Sequence, residues 1–177
     1  MLNAAAALAA GLALGLPADH LLTGLSRFQG AGRRFELKGS VGGIRVVDDY
    51  GHHPTEIAVT LAAARGFAGD GRVIALFQPH RYSRTQAFID NFARELDKAD
   101  RTILLEIYAA SEAPIPGISS ELIVEKMERG EFIPNFIEAA ESIIADAKPG
   151  DVILTMGAGD VNSLGPIILE GLTKRFP

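Results

Sequence analysis

The chain has 177 residues, room for one domain and part of a second, with apolar and charged fractions of 47% and 22% that are ordinary for a soluble globular protein. A net charge of −5 gives no general nucleic-acid footprint, so no nucleic acid is expected as a partner. The chain has no cysteine, which removes disulfides and thiolate metal sites but does not fix the compartment.

Residues 1–16 are rich in Ala and Leu. They lack a basic leader, carry Asn3, Gly11 and Gly15, and fall short of the about 20 apolar residues of a bilayer span, so no membrane partner is expected. The stretch reads as a buried helix ending near Gly15-Leu16-Pro17. A helix that is apolar all round suggests the edge of something larger. Asp19 to Leu25 reads as one more short helical turn. Residues 26–35 hold two glycines, three arginines and no period of 2 or 3.6, and read as a linker. Phe35 to Lys38 and Ile44 to Asp48 flank Gly39-Ser40-Val41-Gly42-Gly43, which is a hairpin signal.

Asp48-Asp49-Tyr50-Gly51-His52-His53-Pro54-Thr55-Glu56 follows a strand and opens a helix from Ile57 to Ala64. Pro54 suits the first helical position, where its missing N–H would be unpaired anyway. Glu56 complements the positive end of the helix dipole. His53 reads as a helix cap and His52 as a substrate contact. Arg72 to Phe77 is a buried strand. Ser83-Arg84-Thr85-Gln86 reads as a capping box, opening a helix with Phe88, Phe92 and Leu96 at spacing four. Thr102 to Ile107 is the next strand. Ser119 is read as the cap of a helix through Leu122, Ile123 and Met127, and Phe132-Ile133 as a short strand. Asn135 opens a helix carrying Ile137, Ala140, Ile144 and Ala147. Asp151 to Met156 is the last strand, and a final helix covers Val161 to Leu172. Strands alternating with helices predict an α/β fold: a Rossmann-like, mostly parallel sheet with helices on both faces.

In such a sheet the loops after the strands share one edge, where open α/β sheets bind ligands. The Asp49 cluster, Gln78 to Arg84, Tyr108 to Glu112, and Gly157-Ala158-Gly159-Asp160 should therefore converge. His80, Arg81 and Arg84 lie at or before a helix start, a pattern suited to gripping a carboxylate or phosphate; the alternative is that both arginines are solvated or paired with nearby acids. A metal site from His52, His53, His80, Asp48 and Asp49 is disfavoured, because adjacent histidines diverge and the H-x-x-x-H spacing is absent. Gly157 and Gly159 resemble half a dinucleotide fingerprint, but the third glycine position is Asn162; a tight turn with Asp160 as cap is the simpler reading. No G-x-x-x-x-G-K-[ST] loop occurs in these 177 residues.

Asp48 to Glu56, with Phe77-Gln78-Pro79-His80-Arg81-Tyr82-Ser83-Arg84-Thr85, resembles the C-terminal domain of the Mur ligase family, in the branch that adds L-alanine to UDP-N-acetylmuramate. Met1-Leu2-Asn3-Ala4 resembles the end of a His-Asn-x-x-Asn-Ala motif in that family's central ATPase domain. Gly32-Arg33-Arg34-Phe35 resembles its interdomain linker. The branch that reattaches a recycled tripeptide to UDP-N-acetylmuramate resembles the first motif but lacks the His-Arg-Tyr-Ser-Arg string. The resemblance implies residues 1–25 as a helical remnant of the central domain, 26–35 as linker with the hinge at Gly30 to Arg34, where two glycines can absorb the backbone change, and 36–177 as the C-terminal domain.

The family's reaction passes through an acyl phosphate made with ATP. The resemblance assigns Asn3, Arg34, Asp49 and Tyr50 to ATP, with Arg34 stabilising charge on the phosphates. It assigns His52, His80, Arg81 and Arg84 to L-alanine and the nascent product. Mg2+ would be held mainly upstream, by a central domain absent from these residues, as is the UDP-sugar domain. The chain is therefore expected to be a fragment of a cytoplasmic bacterial ligase and inactive alone. A free-standing Rossmann-like module for a nucleotide or small acid, and a metal-dependent hydrolase using His52, His53 and His80, are the competing readings.

Overall fold

The structure, a computed structural model, describes residues 2–28 and 30–177. Met1 and Gln29, which fall in the N-terminal motif and the linker, lie outside the described residues. Met1–Ala31 and Gly32–Pro177 form two compact units.

In the first unit, helix α1 (Leu2–Ala13) is followed by α2 (Ala18–Arg27). The sequence predicts a buried first helix, but α1 is exposed along most of its length. The only element of this unit packed on it is α2, where Leu21 fills the space a side chain at Gly11 would need. Leu12, Leu14, Leu16 and Leu22 remain exposed. The predicted single turn after Pro17 is a full helix, α2.

The second unit carries one six-stranded sheet. Its strands are β1 (Glu36–Val41), β2 (Ile44–Asp49), β3 (Val73–Phe77), β4 (Arg101–Leu104), β5 (Gly130–Phe132) and β6 (Val152–Met156). The spatial order is β1-β2-β6-β3-β4-β5. β1 and β2 form the predicted hairpin, closed by Gly42-Gly43 with φ of 57° and 77°, a left-handed pair that β-branched or bulky residues resist. All other pairings are parallel. Continuous apolar runs make β3 and β6 because both of their faces are covered.

Helices α3 (Pro54–Ala68), α4 (Tyr82–Leu96) and the short α5 (Glu121–Val124) cover one face, burying Ile57, Leu61, Phe92, Leu96 and Ile123 against Val47, Ala75, Phe77, Leu104 and Leu154. Helices α6 (Phe136–Asp146) and α7 (Leu164–Arg175) cover the other, burying Ala140, Ile143, Leu164, Ile168 and Leu172 against Val46, Ile74, Leu76, Ile103 and Ile153. The period of two along each strand thus feeds two separate cores. The predicted doubly covered, mostly parallel sheet is what the second unit contains.

Three local expectations need correction. α4 does not open on a Ser83 capping box. Its N-cap is Arg81, and Ser83 lies inside the first turn, bonded to Glu112 instead. The helix bends at Phe88, whose φ of −128° is non-helical, yet Phe88, Phe92 and Leu96 all pack on the same core, as their spacing predicts. Ser120, not Ser119, precedes α5, and its buried hydroxyl has no partner. Asp160 caps nothing: it is exposed and starts a single 3-10 turn before α7.

Candidate functional site

The parallel strands end in one register row. Asp49 pairs with Met156, Met156 with Phe77, and Phe77 with Leu104. The four polar loops therefore leave the sheet side by side. After β2 and β3 the chain turns to helices on one face, whereas after β6, between them, it turns to α7 on the other. A crevice opens where neighbouring strands send their helices to opposite faces.

Gly157 and Gly159 floor this crevice by close packing. A side chain at Gly157, with φ of 145°, would sit 2.6 Å from the Gln78 carbonyl, and one at Gly159 would sit 2.7 Å from the Tyr108 ring. The half-fingerprint is thus explained by neighbours within the protein. Gln78 completes the floor by accepting the Val161 N–H at its side-chain oxygen, at 3.1 Å.

The linker end is fastened to the same place. Arg33 donates from Nε to Asp48 at 2.9 Å and from its two terminal nitrogens to the carbonyls of Gly157 (2.6 Å) and Gly159 (3.3 Å). Asp48 is buried and accepts a second bond from Thr155 at 2.8 Å. Asp49 accepts from Phe35 N–H, Gly51 N–H and the Thr60 hydroxyl at 2.8, 2.8 and 3.0 Å. The sequence reading gives Asp49 to a ligand; in the structure its buried carboxylate first serves the linker, the turn and α3. Arg33 and Phe35 both have positive φ, 57° and 47°, so Arg34 sits between two left-handed residues. The exposed Arg34 has its guanidinium 5.6 Å from the Tyr50 ring centre, and Arg33 has its own at 5.0 Å.

Around the rim, aromatic rings link the loops. Tyr50 meets His52 at 5.3 Å, His52 meets His80 at 5.6 Å, and His80 stacks on Tyr108 at 5.4 Å with planes 16° apart. His52 Nδ1 donates to the Tyr50 carbonyl at 3.0 Å, a tautomer that leaves Nε2 as the open atom. His53 caps α3, accepting the Thr55 N–H, while Glu56 accepts from the N–H groups of His52 and His53. Burial raises the Glu56 carboxyl, but those two N–H bonds outweigh it and hold the group below its usual value. Arg84 approaches His80 Nδ1 and its carbonyl, both at 3.4 Å. Burial, then the charges of Arg84, His52 and Arg81, hold the His80 imidazole below its usual range, so it is neutral at pH 7. Arg81 is exposed, with φ of 76°. The rim therefore carries two guanidiniums, a neutral imidazole and the N-terminus of α4, which is chemistry for an anion.

Of the residues singled out from sequence, Arg34, Asp49, Tyr50, His52, His80, Arg81 and Arg84 lie along this crevice. Asn3 lies in the other unit, exposed on α1. The bonding of two positions escaped the sequence: Arg33, whose Gly157 and Gly159 partners lie more than 120 residues away, and Glu112, named only as the end of a converging loop. Among the described residues no group of three or more His, Asp or Glu side chains is placed to hold a metal ion.

Residues 33–159 match the family of the Mur ligase, glutamate ligase domain. This chain belongs to that family. The Mur ligase chain is 52% identical to the UDP-N-acetylmuramate–L-alanine ligase of Saccharopolyspora erythraea over 98% of its own length and 36% of that protein's. It is 50% identical to the same ligase of Mycolicibacterium paratuberculosis, over 98% and 37% of the two lengths. Among solved structures it is similar to the UDP-N-acetylmuramate-alanine ligase of Thermotoga maritima, with a TM-score of 0.80 and 27% identity over 98% of this chain and 37% of that one. The murein peptide ligase of Psychrobacter arcticus gives a TM-score of 0.73 and 28% identity over 97% and 36% of the two chains. The chain thus spans little more than a third of the relatives it matches.

Proposed function

We propose that this chain is the amino-acid-receiving C-terminal domain of an ATP-dependent ligase that joins L-alanine to UDP-N-acetylmuramate in peptidoglycan synthesis, in the bacterial cytoplasm. The observation that carries the reading is the cationic rim of His80, Arg81 and Arg84, in a chain about half identical to curated L-alanine ligases over nearly all its length. Arg81 and Arg84 hold the carboxylate of L-alanine, and later that of the product. Neutral His80 orients the amine without adding a positive charge that would repel it, and His52 presents its Nε2 beside it.

The hinge lies at Gly30 to Arg34, and residues 1–25 belong to the neighbouring ATPase domain. ATP is the phosphate-donating substrate. Arg34 faces its phosphates and stabilises charge as the acyl phosphate forms. Tyr50 offers a half-exposed ring beside the nucleotide, and Asp49 offers its remaining acceptor capacity to the ribose. Asn3 reaches the adenosine from the ATPase side. Mg2+ would be held mainly by the ATPase domain; among the described residues no cluster of carboxylates and imidazoles is placed to hold it. The domain holds L-alanine and only part of the ATP contacts, and is inactive alone, since bringing all three reactants together supplies most of such catalysis.

The test has two parts. The 177-residue chain should show no L-alanine-dependent ATP hydrolysis. Joined to the upstream part of the Saccharopolyspora erythraea ligase, it should restore UDP-N-acetylmuramate-dependent ADP release. Alanine-dependent hydrolysis by the chain alone, or a folded hybrid with no activity, contradicts the proposal.

A further inference from the structure

The loop after β4 meets the start of α4 in an unusual way. Glu112 places one carboxylate oxygen on the Ser83 hydroxyl at 2.6 Å and the other on the Ser83 N–H at 3.0 Å. A helix normally satisfies its first N–H groups with the side chain of its own N-cap. Here the N-cap is Arg81, which makes no such bond, and the cap comes from a loop 29 residues away.

Backbone strain is concentrated at the same contact. Arg81 is left-handed at φ of 76°, and Ala110 and Ser111, immediately before Glu112, are left-handed at 49° and 71°. Non-glycine residues hold such angles only where the surroundings over-determine them. The surroundings are visible: Tyr108 N–H donates to the Pro79 carbonyl and Arg81 N–H to the Tyr108 carbonyl, each at 2.8 Å. The Tyr108 ring stacks on His80. Residues 108–112 thus form a brace for residues 79–84. The bonds to Ser83, side chain first, hold the Glu112 carboxyl below its usual value, so the brace is anionic at pH 7.

We propose that Glu112 is a positioning residue for the carboxylate grip: by capping α4 from outside, it fixes Arg81 in its left-handed conformation and aims Arg81 and Arg84 at one anion beside His80. Glu112 does not touch the substrate; it acts through Ser83 and the helix start. This rests on the reading of the rim as the L-alanine carboxylate site.

The experiment compares Glu112→Ala, Glu112→Gln and Arg84→Ala. In the 177-residue chain, amide hydrogen exchange followed by NMR should show Ser83 to Thr85 exchanging at least about tenfold faster in Glu112→Ala, with the buried amides of β3 and β6 unchanged. Glu112→Gln, which keeps an acceptor, should restore part of the protection. In the ligase carrying this domain, Glu112→Ala should raise KM for L-alanine about tenfold, with kcat and KM for ATP within about threefold and Glu112→Gln intermediate. Unchanged exchange at Ser83 overturns the proposal. So does an unchanged KM for L-alanine where Arg84→Ala raises it. If Arg84→Ala also leaves that KM unchanged, the reading of the rim has failed, and the brace stands or falls on the exchange result.

Discussion

Replacing Arg33 by Met keeps most of the side-chain volume and removes the guanidinium that ties the linker to the floor of the crevice. Among the described residues Asp48 is then left buried with Thr155 alone on its oxygens, and the carbonyls of Gly157 and Gly159 lose a donor. Removing one partner of a fully buried ion pair costs about 3–5 kcal/mol. The Arg33 side chain is 24% exposed against 2% for Asp48, so water can reach part of the gap and the low end applies, about 3 kcal/mol. At about 2–4 °C per kcal/mol for a unit of this size, Tm should fall by about 6–12 °C. The three tyrosines, Tyr50, Tyr82 and Tyr108, all lie in the second unit, so tyrosine fluorescence reports its melting alone. Arg34→Met is the control. Arg34 is exposed, with its guanidinium near the Tyr50 ring, and its loss should shift Tm by less than about 2 °C, in line with a surface contact worth under about 1 kcal/mol. An Arg33→Met chain melting within 2 °C of the parent, or a pair of variants with equal shifts, would refute the division of labour between the two arginines.

Other outcomes follow from the same geometry. Gly159→Ala drives a methyl against Tyr108 and Gln78 and should cost about 1–3 kcal/mol, read as a drop in Tm. Thr60→Val keeps shape but takes a donor from buried Asp49; a loss of about 1.5–3 kcal/mol in urea unfolding is expected. Folding holds His80 below its unfolded value near 6.5, so its contribution to stability is full above that value and fades as pH falls through the lower folded one. NMR titration of the His80 ring should give a midpoint below 6.5, and Arg84→Ala should raise it. In the ligase carrying this domain, Arg34→Ala should lower kcat about 100-fold or more, as loss of a charge-stabilising donor does, while Tm stays put.

The sheet was legible because buried parallel strands are written as unbroken apolar runs, such as Val73 to Phe77 and Val152 to Met156. The crevice was legible as well: parallel strands force the loops after them onto one edge, so Asp49, His80, Tyr108 and Gly157 had to gather. What the sequence hides is any partnership made across the fold. Ser83 and Gln86 have the spacing of a capping box, yet the acceptor on Ser83 is Glu112, whose position only the strained turn at Ala110-Ser111 defines. Arg33 and Arg34 are adjacent and chemically alike in sequence; left-handed backbone at Arg33 and Phe35 turns one inward and the other outward. Asp49 was legible as polar in a ligand-binding turn, but not as the residue that ties linker, turn and α3 together. The first helix misled because apolar composition predicts burial only where something is present to bury it.

The most direct measurement is the amino-acid preference of the hybrid ligase that carries this chain downstream of the Saccharopolyspora erythraea portion. Initial rates of UDP-N-acetylmuramate-dependent ADP release would be compared for L-alanine, glycine, D-glutamate and the tripeptide that the murein-recycling branch uses. The account predicts the highest kcat/KM with L-alanine, and its loss, by about 100-fold, when Arg81 and Arg84 are both replaced by Ala. A preference for the tripeptide or D-glutamate, or an L-alanine rate indifferent to both arginines, would contradict it.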